Sequence, residues 1–152
     1  MKNIYERIAT VFGLGYFPVA PGTIGSAAGL ILCLLLHNNP VIYILTFIIL
    51  FAAGVITSEK LESENGIQDP SYVIIDEFAC IFVAFLFIPL SFPMVAAGFA
   101  LYRVMDIAKI PPMGFLEKLK GGWGIMLDDL MAAIYTNIIL HIIVFAQTRF
   151  LG

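Results

Sequence analysis

Residues 125–145 read IMLDDLMAAIYTNIILHIIVF, an apolar run interrupted near its start by two adjacent acids, Asp128 and Asp129. A helix needs about 20 apolar residues to cross a bilayer, and this run has that length. Ionised groups at membrane depth are costly, so an acid in such a segment indicates a function by default. The segment therefore predicts a membrane helix that carries a functional group near one end.

The composition of the whole chain agrees with this prediction. Of its 152 residues, 61% are hydrophobic and 12% are charged, whereas an ordinary soluble domain has about 25% charged residues. These values exclude a soluble, disordered or collagen-like chain and predict one integral membrane domain over residues 1–152. The net charge of −3 and the lack of a basic cluster disfavour a nucleic-acid partner. Cys33 and Cys80 lie in apolar runs and support neither a disulfide nor a metal framework.

Five apolar stretches organise the chain. They are Thr23 to Leu36, Val41 to Thr57, Tyr72 to Leu90, Met94 to Met105 and Ile125 to Phe145. The second, third and fifth have the length of a full span, while the first and fourth are short. We therefore expect an all-α polytopic membrane protein with about five membrane helices, two of them short.

The N-terminal segment predicts one further helix. Ile4, Ile8 and Val11 follow helical spacing with charged residues between them, which is typical of an amphipathic helix at the membrane interface. A frayed tail is the alternative. Glycines and prolines interrupt the chain between Gly13 and Pro21, so we expect no signal peptide.

Lysine and arginine residues set the expected orientation, because they concentrate in cytoplasmic segments. With the N-terminus inside, five crossings leave residues 1–22, 58–71 and 106–124 in the cytoplasm. These segments and their helix ends hold seven basic residues, Lys2, Arg7, Lys60, Arg103, Lys109, Lys118 and Lys120, against Arg149 outside. We therefore expect a multi-pass protein with its N-terminus inside the cell.

On this topology, five carboxylates from three helices lie at the cytoplasmic face. They are Asp76 and Glu77 of the third span, Asp106 of the fourth, and Asp128 and Asp129 of the fifth. Clustered carboxylates repel one another unless a cation neutralises them. Oxygen ligands without a nearby histidine or cysteine favour Mg²⁺ or Mn²⁺ over zinc. The pattern predicts a divalent metal site.

Simpler explanations exist for single acids. Acids near a helix N-terminus stabilise the helix dipole, which would account for residues 76–77 and 128–129. Asp106 lies at a helix C-terminus and would instead pair with Arg103 or Lys109. Neighbouring side chains point about 100° apart on a helix, so we expect the two acids of each pair to differ in role. A further acidic group, Glu59, Glu62 and Glu64, is interpreted as a solvated loop.

A Gly/Pro-rich stretch from Gly13 to Ser26 leads into the first span on the same face. Thr23 is the expected N-cap, and the free backbone N–H groups of Gly22 and Thr23 suit a phosphate. A purely structural turn is the alternative.

Basic residues on this face provide further candidates for phosphate binding. Arg103 and Lys109 flank Asp106 directly and are the stronger ones. The stretch from Lys118 to Gly124 suits an anionic lipid head group, or it anchors the membrane interface through Trp123.

Anion-binding donors beside a carboxylate-held cation indicate phosphoryl chemistry on a lipid head group. The covalent routes lack their motifs: neither cysteine begins a Cys-x5-Arg loop, no Asp-x-Asp-x-Thr/Val occurs, and the inward segments contain no histidine. Direct attack by metal-activated water remains. An ion-coupled transporter is one alternative, although it would place acids near the midplane. A lipid phosphotransferase is another, although its Asp-Gly-x2-Ala-Arg signature is absent.

Four motifs occur in order over about residues 12–135. They are the Gly13 to Ser26 stretch ending Pro-Gly-Thr-x-Gly-Ser; Asp76-Glu77-Phe78; Ala97-Gly98-Phe99 with Arg103-x-x-Asp106-x-x-Lys109; and Gly121-Gly122-x-Gly124-Ile125-Met126-x-Asp128-Asp129. Together they resemble the phosphatidylglycerophosphatase A family of bacterial membrane phosphatases. One departure is that Lys109 is followed by Ile110-Pro111-Pro112, where the family often continues Lys-Pro-x-Pro.

The resemblance implies Mg²⁺-dependent hydrolysis of phosphatidylglycerophosphate to phosphatidylglycerol and phosphate, at the cytoplasmic face of the bacterial inner membrane. It implies that the metal ligands and the catalytic base come from Asp76, Glu77, Asp106, Asp128 and Asp129. The phosphate would be held by Gly22, Thr23, Arg103 and Lys109. The expected partner is a membrane phospholipid, and the oligomeric state is left open, with a homodimer as one option.

Overall fold

The computed structural model describes residues 3–150, and every regular element within that range is helical. The helices are α1 (Ile4–Ala9), α2 (Pro21–Leu36), α3 (Pro40–Asn65), α4 (Ile75–Ala84), α5 (Phe92–Ala108), α6 (Met113–Leu116) and α7 (Gly122–Phe150), with a 3₁₀ turn at Leu14–Tyr16. The predicted all-α class is confirmed.

Helix α4 forms the centre of the bundle. It contacts α2, α3, α5 and α7, and most of its side chains, such as Cys80 and Phe82, are fully buried. The helix ends at Ala84, since Phe87 adopts a left-handed backbone conformation with φ of 59° and Pro89 follows, and neither continues an α-helix. The predicted span from Tyr72 to Leu90 is therefore not one continuous helix.

Helices α3 and α7 are the two described helices that are long and apolar enough to cross a membrane. Only 28% of the residues in the apolar window of each helix are buried inside the protein. Apolar side chains such as Leu45 and Ile49 of α3 and Phe145 of α7 are more than half exposed. The expected count of about five spans is not confirmed, because α2, α4 and α5 are shorter.

Long helices that follow one another in the sequence run in opposite directions, so the bundle has two distinct ends. We call them the site end, where close contacts join Gly22 to Glu77 and Gly54 to Met126, and the far end, where they join Gly98 to Phe85 and Tyr43 to Phe82. The first turns of α2, α4 and α7 and the last turns of α5 share the site end. The predicted convergence of the acidic segments on one side of the bundle follows from this alternation.

Helix α2 begins at Pro21, so Thr23 lies inside its first turn and the expected N-cap is wrong. Ala20 occupies the N-cap position with φ of 48° and no side-chain cap. Proline is favoured as the first helical residue because its φ is preset and its missing N–H is not needed there. The N–H groups of Gly22 and Thr23 belong to the first turn, which has no intrahelical acceptors for them.

Helix α1 is shorter than the spacing of its apolar residues predicts. It ends at Ala9, and Val11 lies in the following turn with φ of 47°. The helix packs against α3, where Asn3 donates a hydrogen bond of 3.2 Å to Glu64. Its location at a membrane interface stays a prediction, and Lys2 lies outside the described residues.

Helix α3 continues to Asn65, so the loop interpretation of its three glutamates is wrong. Glu59 and Glu64 are exposed, whereas Glu62 is half-buried. Its Oε2 atom is shielded from solvent and has no hydrogen-bond partner among residues 3–150. The helix ends at Gly66, which adopts the left-handed conformation (φ of 65°) that glycine accommodates without strain.

Candidate metal centre

Three carboxylates meet at the site end of the bundle. Asp76 and Glu77 lie in the first turn of α4, and Asp129 lies near the start of α7. One oxygen from each lies within 4.8 Å of the other two, with Asp76 and Asp129 buried and Glu77 half-buried. The contact between α4 and α7 therefore assembles a compact group of acids from distant parts of the sequence.

The group fits a divalent cation. Oδ1 of Asp76 and Oε2 of Glu77 are shielded from solvent, and neither has a hydrogen-bond partner in the described part of the chain. Buried polar atoms without partners are unfavourable, and neighbouring negative charges add mutual repulsion. A cation would relieve both penalties, and a donor set made only of carboxylate oxygens suits Mg²⁺ or Mn²⁺.

The two pairs of adjacent acids behave differently. Both Asp76 and Glu77 reach the cluster, contrary to the expectation that neighbours on a helix diverge. Asp129 joins them, whereas Asp128 points away and contacts Lys109 instead. The side chains of the second pair therefore diverge and those of the first pair converge, while the expected difference in role within each pair stays a prediction.

Arg103 of α5 connects Asp106 to the cluster. Its Nη1 atom lies 2.9 Å from Oδ2 of Asp106 and 3.8 Å from Oε1 of Glu77. The same nitrogen donates a hydrogen bond of 3.1 Å to Oγ of Ser26. The guanidinium thus offsets the charge of two acids, and its buried Nε has no acceptor among the described residues. A phosphate oxygen would supply one.

The first turn of α2 touches the cluster through Gly22. A Cβ atom at this position would lie 2.0 Å from Oε1 of Glu77 and 3.3 Å from Nη2 of Arg103. Only glycine allows the helix N-terminus to approach these side chains so closely. The predicted phosphate-binding segment at Gly22 and Thr23 therefore lies directly beside the predicted metal ligands.

Lys109 lies at the C-terminal end of α5 and forms ion pairs with two acids from other segments. Its Nζ is 3.2 Å from Oδ2 of Asp128 and 2.8 Å from Oε1 of Glu117. Partial burial alone would lower the pKa of Lys109, but its hydrogen bonds to Glu117 and Asp128 outweigh that effect and raise the pKa above its ordinary value. The two acids therefore favour the charged form of Lys109 and hold its ammonium group beside Asp128.

The segment before α7 and the first turn of α7 lie at the surface of the site end. Lys118 and Lys120 are exposed, and Trp123 is half exposed with its ring edge against Phe51 at 6.3 Å between centroids. Both predicted roles of this segment, lipid binding and interfacial anchoring, stay predictions.

Three residues of the site went unrecognised in the sequence. Tyr102 donates a hydrogen bond of 2.9 Å to Oδ2 of Asp129, Ser26 accepts from Arg103, and Glu117 pairs with Lys109. Ser26 and Tyr102 were already within or next to recognised motifs, and buried hydroxyls in apolar helices commonly need a polar partner. That signal could have identified them as candidates, although not their partners.

Comparison with known proteins gives consistent matches over nearly the whole chain. The family model described as phosphatidylglycerophosphatase A matches residues 7–144, a range that includes every candidate site residue. A Haemophilus influenzae protein named phosphatidylglycerophosphatase A is 37% identical over 147 residues, covering 94% of this chain and 90% of the relative. An Escherichia coli protein of the same name is 31% identical over 146 residues, covering 94% and 85%.

A third relative carries a different name. This Bacteroides thetaiotaomicron protein, provisionally named a phosphatidylinositol-3-phosphatase, is 36% identical over 151 residues, covering 89% of this chain and 90% of the relative. No solved structure matches the chain.

Proposed function

The chain belongs to the phosphatidylglycerophosphatase A family of phosphoric monoester hydrolases, and from this premise we propose that it is a Mg²⁺-dependent phosphatase of phosphatidylglycerophosphate. In this reaction the oxygen of water forms a bond to phosphorus while the bond from phosphorus to the terminal glycerol oxygen breaks. One water proton passes to a carboxylate of the site, and the glycerol oxygen takes up a proton as it leaves. The products are phosphatidylglycerol and inorganic phosphate.

The carboxylate cluster is the observation that carries this proposal. Asp76, Glu77 and Asp129 bring three oxygens within 4.8 Å of one another, and one oxygen each of Asp76 and Glu77 lacks a partner in the described residues. These residues would hold the cation, with Asp106 beside them through Arg103. When bound, Mg²⁺ supplies polarisation of the phosphate ester and activation of the water nucleophile.

The chain's own cations and backbone donors would hold the substrate phosphate. The buried Nε of Arg103 is available to an acceptor, and the first-turn N–H groups of Gly22 and Thr23 lie beside Glu77. Lys109 adds a second positive charge next to Asp128. These donors would neutralise negative charge that develops on the phosphate oxygens as the ester bond breaks. The base is one of the five predicted acids.

We further propose that the bundle is embedded in the bacterial inner membrane with its site end facing the cytoplasm. The exposed apolar side chains of α3 and α7 and the length of both helices support embedding. The basic residues at the site end, among them Lys60, Lys118 and Lys120, support the orientation. A head group would then reach the cluster without leaving its leaflet.

Phosphate release from phosphatidylglycerophosphate in detergent micelles tests the activity and its metal dependence. We expect release with Mg²⁺, loss with excess EDTA, and recovery when Mg²⁺ is restored. Asp129→Asn should abolish release, whereas the matched control Glu64→Gln, which alters an exposed ion pair with Lys60, should retain it. Release that persists in EDTA would refute the metal proposal and leave the phosphatase assignment standing.

The substrate needs a separate comparison, because one relative is named for a phosphoinositide. Parallel assays with phosphatidylinositol 3-phosphate measure kcat/KM for each lipid. We expect phosphatidylglycerophosphate to be preferred, and a preference for the phosphoinositide would replace the proposed substrate. No release from either lipid by folded protein would favour the transporter or phosphotransferase alternatives.

Cysteine labelling tests the orientation. Cys33 and Cys80 are buried, so a new surface cysteine can be distinguished by a membrane-impermeant maleimide. Ser71→Cys near the site end should react only after the cells are permeabilised, and Asn38→Cys in the turn between α2 and α3 should react in intact spheroplasts. The opposite pattern would invert the proposed orientation.

A further inference from the structure

We propose that Tyr102 is a positioning residue that fixes the Asp129 carboxylate for divalent cation binding. This inference rests on the proposed metal site and assigns a role within it to a residue that no motif singled out. Tyr102 lies on α5, and its side chain is completely buried. Its hydroxyl group donates a hydrogen bond of 2.9 Å to Oδ2 of Asp129.

The hydrogen bond restrains a carboxylate that its neighbours repel. Asp129 lies beside Asp76 and Glu77, and like charges at this distance push one another apart. A hydrogen bond from a buried phenol to one carboxylate oxygen is strong in the protein interior and restricts rotation of the carboxylate group. The ligand geometry is then set before a cation arrives.

A neutral hydrogen-bond donor orients a carboxylate without reducing its negative charge, which a cationic donor does not do. Arg103 orients Asp106 through an ion pair of 2.9 Å, but it also offsets the negative charge that attracts a metal ion. Tyr102 orients Asp129 without offsetting its charge. Helix α5 thus supplies two different supports from adjacent residues, one that neutralises an acid and one that only aligns it.

The chain offers a matched control for this role. Tyr43 is also buried, and its hydroxyl group donates a hydrogen bond of 2.7 Å to the backbone carbonyl of Phe82 at the far end. Removing either hydroxyl deletes one buried hydrogen bond and costs a similar amount of stability. Only the removal at Tyr102 should alter cation binding.

Binding of Mn²⁺ to the full chain in detergent, measured from the EPR signal of free Mn²⁺, tests the proposal. Partners that orient metal ligands typically contribute about 10- to 100-fold in affinity, so Tyr102→Phe should weaken Mn²⁺ binding by about 10-fold or more. Tyr43→Phe should bind Mn²⁺ like the wild type. In phosphatase assays, Tyr102→Phe should raise the Mn²⁺ concentration for half-maximal activity more than it lowers the rate at saturation.

Equal Mn²⁺ affinity of Tyr102→Phe and wild type would overturn the role of Tyr102 and leave the metal site intact. A wild-type protein that binds no Mn²⁺ would overturn the metal site itself and this inference with it. Fluorine NMR of wild-type protein carrying 3-fluorotyrosine avoids any loss of folding in the variants. We expect Mn²⁺ to broaden the Tyr102 resonance and to spare that of Tyr43; equal broadening of both would contradict the proposal.

Discussion

The two ends of the bundle differ in how completely their buried polar groups are hydrogen-bonded. At the far end, Tyr43 donates to the carbonyl of Phe82, and Asn137 donates to the carbonyls of Ala84 and Leu86 at 3.2 and 3.0 Å. At the site end, oxygens of Asp76 and Glu77 are buried without partners in the described chain. Buried polar groups with hydrogen-bond partners are compatible with a stable fold. Buried polar groups without partners need an explanation such as a bound ion or a catalytic role. The contrast separates the part of the molecule that maintains the fold from the part that we propose binds the metal and the substrate.

Asp76→Asn tests the site end most severely. It removes one charge from the three-carboxylate cluster, so we expect phosphatase activity to fall by more than the roughly 100-fold that an indirect metal contact can contribute. The metal-free protein should become more stable, because the remaining acids repel one another less. Thermal unfolding with and without Mg²⁺ measures this.

The Tm of metal-free Asp76→Asn should rise by about 2–4 °C for each kcal/mol regained in a chain of this size. The stabilisation that Mg²⁺ gives the wild type should largely disappear. A variant that loses stability without metal would show that the Asp76 carboxylate has a stabilising partner in the metal-free protein. The site end would then not differ from the far end in its hydrogen bonding. Glu64→Gln again serves as the surface control.

Gly22→Ala tests whether the close approach of α2 to Glu77 matters for activity. The new methyl group would lie 2.0 Å from Oε1 of Glu77, the tip of a flexible side chain, so the carboxylate should move while the helix stays. We expect about a 10-fold loss of kcat/KM, equivalent to about 1.4 kcal/mol, with little change in Tm because alanine favours the helix by about 1 kcal/mol.

Gly114→Ala is the matched control for Gly22→Ala. Among the described residues, no atom beyond the chain neighbours and local helix backbone of Gly114 lies within 4 Å of a Cβ built there, and we expect unchanged activity. Equal effects at both positions would show that the close approach at Gly22 has no functional consequence.

Asn137→Ala tests the far end. It should lower stability by about 1–3 kcal/mol, because two carbonyls at the end of α4 lose their donor. Neither kcat nor Mn²⁺ affinity should change at a temperature where the protein is folded. Urea unfolding and the phosphate-release assay measure these quantities, with exposed Gln147→Ala on the same helix as control. A matching loss of metal affinity would show that the two ends are coupled.

Glu117→Gln has the smallest expected effect. Glu117 is partly exposed and holds Lys109 at 2.8 Å, in competition with any phosphate that this lysine binds. Exposed ion pairs contribute about 0–1 kcal/mol, so removing the charge should lower KM by at most about 5-fold and leave kcat unchanged. A higher KM would indicate that Glu117 helps substrate binding instead.

Sequence patterns located the helices and the acids but not the depth of each helix in the bundle. Hydropathy is high in both α4 and α3, because it reports apolar side chains without saying what they face. Helix α4 is enclosed by protein, while only 28% of the residues in the apolar window of α3 are buried. Stretch 72–90 therefore looked like a span, although a turn at Phe87 and the following Pro89 end the helix early.

The candidate site could likewise be predicted only in part from the sequence. Five acids could be placed on one side from helix alternation alone, because each lies near a predictable helix end. The hydrogen-bond partners of the site residues could not be predicted, because they lie far apart in the sequence: Tyr102 and Asp129 by 27 residues, and Arg103 and Ser26 by 77. Such contacts depend on the packing of α5 against α2 and α7. The N-cap at Thr23 failed for a local reason, the stronger preference of Pro21 for the first helical position.

The dependence of the cluster on α7 also bears on how the protein is made. Because synthesis starts at the N-terminus, α4 with Asp76 and Glu77 is made well before Asp129. The emerging chain cannot bind a cation with the full ligand set until its last described helix has docked. The proposed centre therefore forms only after α7 has been synthesised, and ribosome-stalled chains lacking residues 122–150 should carry no phosphatase activity.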